Sequence, residues 1–306
     1  MLVQNRPRFI GSLLSEAPVA LVILPSVRRR VWCETLSYDQ LASGSLDRVL
    51  QRYRVGLLLA VRPWQLEEVG DVVRKFQGSG VAVGLWPMVA DVHGRWANAA
   101  SHGHFIAFGD QLLAKVPFAD ELVIDLEPPL DVLTRWKMGR PTWSPMQPSY
   151  AAVRAAFAAA VERWRLTMRV TTAVMPVVAF EFGSEWLQRL MGTPVSSLAC
   201  DSHSLMAYTS LFEGWSRGLV NRRRAEVLLT ACAKAARLRF GARAALSLGT
   251  VGPGVFGDEP SYRDPAELRR DVALASAAGI DELSLFDLGG MARRGPVEAW
   301  LESLWS

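Results

Sequence analysis

Short apolar runs recur along the chain, each followed by a stretch with helical periodicity. The runs fall at 30–35, 56–61, 81–86, 121–126, 169–175, 205–208, 244–248 and 282–286. The helical stretches between and after them include 46–53, 64–76, 99–115, 150–165, 185–190, 220–238, 265–278 and 296–304. Runs such as 55–61 are apolar at nearly every position, as strands covered on both faces must be. Eight strand–helix units close a barrel, whereas an open doubly wound sheet usually stops at about five or six strands. The pattern predicts the α/β class: a single (β/α)8 TIM barrel over residues 30–306, with residues 1–29 as an N-terminal extension. Local signals agree with this register. Asp264 ahead of Pro265 reads as an N-cap with a first-turn proline, and Ala278-Gly279 ends that helix before the last strand.

Composition leaves this picture intact and removes several alternatives. Half of the 306 residues are hydrophobic and 21% are charged, which suits one large buried core and argues against disorder. The net charge of +4 comes mainly from scattered arginines. The cluster Arg222, Arg223 and Arg224 reads as a solvated helix face, so no nucleic-acid partner is expected. Cys33, Cys200 and Cys232 are widely spaced and form no CxxC pair, so they read as reduced, buried thiols. The apolar segment 17–27 contains Pro18 and Pro25 and is too short to span a bilayer. Glu16 interrupts the apolar stretch before it, and Arg28, Arg29 and Arg30 stand where a small-residue cleavage site would be. The expectation is no signal peptide, no membrane span and a cytoplasmic location. The pattern leaves the oligomeric state open.

In such a barrel the chemistry sits where strands end and βα loops begin, so the residues ending each run carry the functional reading. They are polar or aromatic: Glu34 after the first run, Arg62 after the second, Trp86 at the third with Asp91 and His93 beyond. Asp125 and Glu127 close the fourth, Tyr208 the sixth and Asp287 the eighth. Strand side chains alternate, so Asp125 and Glu127 share one face with Val123, and Ile124 and Leu126 share the other. If Val123 points into the barrel, both acids do too. Burying two carboxylates costs several kcal/mol unless a cation or a proton relieves it. Either Arg62 or Arg169 neutralises the pair, or one acid has a raised pKa and can protonate a leaving group.

The stretch from Asp120 to Glu127, Asp-x-x-Val-x-Asp-x-Glu, resembles the fourth-strand signature of family-18 glycoside hydrolases, the chitinases and endo-N-acetylglucosaminidases. That signature carries three aspartates before a glutamate, and Val123 stands in place of the middle one. Leu205-Met206-Ala207-Tyr208 is similar to that family's sixth-strand Met-x-Tyr-Asp, with Thr209 in place of the aspartate. The resemblance implies Glu127 as general acid, Asp125 as the group that orients a substrate acetamido, and Tyr208 as a hydrogen-bond donor to its carbonyl. In such substrate-assisted hydrolysis the sugar supplies its own nucleophile. The departures at Val123 and Thr209 leave the acetamido requirement open. A second likeness, at Leu85-Trp86-Pro87-Met88 and Gly94-Arg95-Trp96-Ala97-Asn98, is to uncharacterised bacterial and archaeal barrel proteins and implies no activity.

Aromatic residues point to a sugar independently, because their faces stack on the apolar faces of sugar rings. Trp86, Trp136, Trp143 and Trp215 fall in or beside the predicted top loops, the middle pair in a long loop after the fourth strand. With Glu34, Arg62, Asp91 and Asp287 they form the expected substrate-binding set, for a small-molecule or oligosaccharide substrate. Lys75, Lys115, Lys137 and Lys234 miss the strand ends where a Schiff base would form, and no P-loop occurs. No cofactor or metal is expected. Two alternatives remain: a barrel that binds a saccharide without cutting it, and a metal-assisted lyase, isomerase or hydrolase using Glu34, Asp125, Glu127 and Asp287.

Overall fold

A computed structural model describes residues 27–140 and 149–306. Eight parallel strands close a barrel in sequence order, β1 (Arg28–Cys33), β2 (Gly56–Val61), β3 (Val83–Pro87), β4 (Glu121–Leu126), β5 (Arg169–Val174), β6 (Ser202–Met206), β7 (Ala244–Gly249) and β8 (Glu282–Phe286). The predicted (β/α)8 barrel is therefore the observed fold. Outward residues such as Val31, Leu57, Leu85, Leu122, Ile124 and Leu246 pack under the surrounding helices in one continuous apolar shell, which is why these strands read as apolar throughout.

The barrel interior is built in layers. At the N-terminal end Arg30 pairs with Glu121 and Glu282, Arg169 pairs with Glu282 at 2.6 Å, and Ser202 donates to Glu282 at 2.7 Å. Above this ionic floor the Trp32 indole donates to Ser247 at 3.2 Å and Ser284 at 3.1 Å, and the Ser204 and Ser247 hydroxyls meet at 2.9 Å. Val123 joins Trp32, Trp86 and Phe286 in a separate interior apolar cluster. The acids that share a face with Val123 accordingly turn inward as well.

Two elements differ from the sequence expectation. Strand β6 begins at Ser202, ahead of the apolar run 205–208, because its inward serines fill the space beside Trp32 by hydrogen bonding and look polar in sequence. The segment after β4, read as a loop, contains the helix Leu130–Lys137, so Trp136 lies on a helix. Trp143 and the first 26 residues, which make up most of the expected extension, lie outside the described residues, and β1 starts at Arg28. Among the described residues no helix is long and apolar enough to cross a membrane. The helix Pro265–Ala277 matches its sequence signals: Asp264 accepts from the Glu267 N–H at 3.1 Å, and Gly279 takes a φ of 81° just beyond the C-cap. Replacing this cap, Asp264→Ala, should lower stability by about 1 kcal/mol in a denaturant melt.

Candidate active site

The inward face of β4 runs Glu121, Val123, Asp125 and then Glu127 just past the strand end. It takes a carboxylate from the ionic floor up to the mouth of a cavity of about 750 Å³. Asp125 and Glu127 both line that cavity, as do Glu34, Trp86, Tyr208 and Trp136. Asp125 is 2% exposed. Its Oδ2 accepts from the Trp86 indole at 3.1 Å, while its buried Oδ1 has no hydrogen-bond partner among the described residues. Trp86 is itself wedged at its ring edge against Trp32, with centroids 4.8 Å apart, and lies 6.3 Å from Phe286. The donor to Asp125 is thus fixed by packing.

Burial pushes the Asp125 carboxyl well above the usual carboxylate range, and nearby Glu34 adds to this, opposed only by the Trp86 hydrogen bond. Burial also raises Glu127, helped by the charges of Asp125, Glu259 and Glu34 and opposed by Arg95. Like charges crowded into a poorly solvated cavity resist ionising together, so these carboxyls hold their protons to higher pH than ordinary carboxylates do. Burial and the same two acids push the Tyr208 phenol well up, which keeps it a neutral hydrogen-bond donor. Among the described residues no basic side chain comes within ion-pair distance, 4.0 Å, of Asp125 or Glu127. The neutralising role considered for Arg62 and Arg169 is taken elsewhere: Arg62 reaches the Val89 carbonyl at 2.7 Å and Asp91 at 3.2 Å, and Arg169 belongs to the ionic floor.

The remaining sequence candidates divide between wall and support. Glu34 lines the cavity and pairs with Arg95 at 3.0 Å, and Arg95 also grips Asp91 at 2.9 Å. Asp91 and Arg62 are therefore outside the cavity wall and brace the loop after β3. Asp287 is fully buried as the N-cap of the helix Leu288–Arg294, accepting from Gly290 N–H at 2.8 Å and Thr35 Oγ1 at 3.1 Å. Among the described residues no group of three or more His, Cys, Asp or Glu side chains is arranged to hold a metal. Glu34, Asp125, Glu127 and Asp287 are thus not gathered into one ligand set. Trp136 and Trp215 line the cavity, Trp215 being 41% exposed.

Other wall residues were invisible as site residues in sequence. Lys137 and Glu259 line the cavity from two long connections, the helix after β4 and the loop after β7. Those connections meet where Lys137 pairs with Asp258 and lies 4.7 Å from the Phe256 ring centroid. No periodic signal reports such a loop-to-loop encounter. The motif positions also separate in space. Asp120 caps the edge of β3, accepting from Val83 N–H at 2.8 Å. Thr209 is buried and donates to Asp271, which also pairs with Arg222.

The sequence matches no family model and no curated protein. In three dimensions the chain is similar to the PgaB (BpsB) glycoside hydrolase domain from Bordetella bronchiseptica, with TM-score 0.58 and 14% identity over 92% of this chain and 99% of that one. It is also similar to a family GH18 chitinase from Cycas revoluta, with TM-score 0.52 and 12% identity over 91% and 100% of the two chains. A third neighbour is the spore cortex-lytic enzyme SleL from Bacillus cereus, with TM-score 0.57 and 9% identity over 92% and 74%. The chain has the chitinase-type barrel fold. The family-18 likeness read from the fourth and sixth strands is thereby met at the level of fold, and residue roles in this chitinase-type barrel rest on its own geometry.

Proposed function

We propose that this barrel is a glycoside hydrolase that binds a saccharide in the cavity at the strand ends, with Glu127 as general acid and Asp125 as its partner. The observation that carries the reading is the pair of inward carboxyls on β4, raised by burial and without a cationic partner among the described residues, at the base of an aromatic cavity. The structural carboxylates of this barrel are met by arginines, as Glu121 and Glu282 are, or by cap donors, as Asp287 is. A carboxylic acid kept protonated near neutral pH is what leaving-group protonation needs. In this reading Asp125, fixed by Trp86, orients the group that attacks the anomeric carbon, and the neutral Tyr208 hydroxyl donates to the same group. The experiment is hydrolysis by the wild type of a panel of acetamido and plain glycosides. Cleavage confined to acetamido substrates supports the substrate-assisted route, and cleavage of both removes the acetamido requirement. Binding without cleavage of any member would favour a saccharide-binding barrel, for which the apolar Val123 at the motif's middle aspartate is the favouring observation.

Stacking gives a separate prediction. Trp215 is exposed at the wall, so Trp215→Ala should weaken oligosaccharide affinity by about 1 to 2 kcal/mol in calorimetry while leaving the melting temperature nearly unchanged. Unchanged affinity would show that its ring is not a sugar platform. Trp136→Ala should lower both affinity and stability, since that ring also packs against the apolar shell.

A further inference from the structure

Glu259 has no task in the hydrolysis just described, yet its surroundings are built to hold a carboxylate. It sits on the loop after β7 and lines the cavity. A Cβ on Gly254 would stand 1.6 Å from its Oε2 and 2.5 Å from its Cδ, so the carboxylate rests directly on the glycine backbone. Gly254 is not among the positive-φ glycines, and the requirement at this position is space. The backbone N–H groups of Phe256 and Gly254 act on the carboxyl in the direction that favours its ionised form, against burial. Among the described residues no basic side chain lies within 4.0 Å of it. Lys137, a cation that acts on it, is engaged by Asp258.

The charge of the whole cavity points the same way. Glu34, Asp125, Glu127 and Glu259 border it, and of these only Glu34 has an arginine partner. Arg217 lines the outer wall and is exposed to solvent. The aromatic wall already accommodates an ammonium, since the Lys137 Nζ lies 4.7 Å from the Phe256 centroid and 5.9 Å from that of Trp215. A ligand that brings its own positive charge would satisfy carboxylates that the protein leaves uncompensated. Neutral hydroxyls and acetamides would leave them so.

We propose that Glu259, seated on Gly254, recognises a free primary ammonium on the saccharide, so that the cavity takes sugars with an unacylated amine in preference to their N-acetylated counterparts. This deepens, and rests on, the reading of the cavity as a saccharide site. Burial, with the charge of Glu34, raises the Glu259 carboxyl to about 7, with backbone N–H groups and Lys137 opposing. An ammonium in contact favours the ionised form and pulls the carboxyl back down.

The test is calorimetric binding of a glucosamine tetramer and an N-acetylglucosamine tetramer at about pH 7, below the range of about 7.7 to 8 in which α-amino groups lose their proton, and it needs no turnover. The wild type should bind the amine tetramer about tenfold tighter or more, as a charge-assisted hydrogen bond supplies. Glu259→Gln should abolish that preference. Gly254→Ala, which pushes the carboxylate off its seat, should reduce it in the same direction, and matching melting curves would confirm that both variants fold. Equal binding of the two tetramers by the wild type, or a preference that survives in Glu259→Gln, would overturn the assignment while leaving the saccharide reading standing. Failure of both tetramers to bind would overturn the saccharide reading together with this proposal.

Discussion

Glu127→Gln should lower turnover by roughly 10²-fold or more while leaving saccharide binding in place. Glutamine keeps the volume and most of the hydrogen-bonding capacity of a carboxylic acid but has no proton to transfer, and general-acid contributions are typically of this size. The same substitution separates a catalytic acid from a structural one. Glu127 is raised by burial and by neighbouring Asp125, Glu259 and Glu34, so the folded state holds a proton that the unfolded chain releases. Stability of the wild type should then fall as pH rises from the ordinary glutamate value of about 4.3 to the raised folded-state value, and the glutamine variant should escape that part of the loss. At neutral pH the variant should melt at the same temperature or higher. The wild-type kcat/KM should fall on the alkaline side as Glu127 loses its proton, at a pH above the usual carboxylate range. Wild-type-like turnover in Glu127→Gln would remove this residue from the mechanism. A variant that melts markedly lower would mean that its carboxylate holds the fold.

Arg30→Met should destabilise the barrel by about 3 to 5 kcal/mol in a denaturant melt. Arg30 is 6% exposed and joins Glu121 and Glu282 across the closed end of the barrel, where Thr171 also donates to Glu121. Removing one cation from two cations and two anions leaves Arg169 alone, 4.0 Å from Glu121 and 2.6 Å from Glu282. The larger part of the cost is the stranded charge of Glu121. The double variant Arg30→Met/Glu121→Gln should therefore recover much of it. Acid sensitivity supplies an independent readout. Burial alone would raise Glu282, but the guanidiniums of Arg30 and Arg169, with Ser202, hold it down at about 2. A depressed carboxylate contributes stability that is complete above its unfolded value near 4.3 and is lost as pH falls toward about 2. Without Arg30 the folded-state value rises, and acid unfolding should begin at higher pH. A single variant as stable as the wild type would show that the floor is held by packing alone.

The ionic floor and the acidic mouth share one strand and meet opposite fates for a physical reason. Glu121 and Asp125 both point inward from β4, four residues apart. Glu121 is met by Arg30, whereas Asp125 is met by an indole N–H and no cation. Burial acts on both, and the partner decides whether the result is an ion pair or a retained proton.

The sequence by itself determined the fold class, the number and order of strands, and the shared face of Val123, Asp125 and Glu127, which the structure then turned inward. Two-sided burial forces apolar runs, and alternation along a strand ties the acids to Val123. It also marked the cap at Asp264 and the aromatic residues gathered near the strand ends. Only the tertiary structure decided which polar ends meet. Arg62 and Asp91 bind each other beside the mouth, Asp287 turns down to cap a helix, and Thr209 joins Arg222 and Asp271 behind the wall. The meeting of Lys137 with the loop that carries Asp258 and Glu259 joins residues 121 positions apart in the chain. Strand period and capping are local and leave a trace in neighbouring residues. The pairing of long loops across a barrel mouth depends on side-chain reach and charge between distant segments, for which a single sequence holds no period.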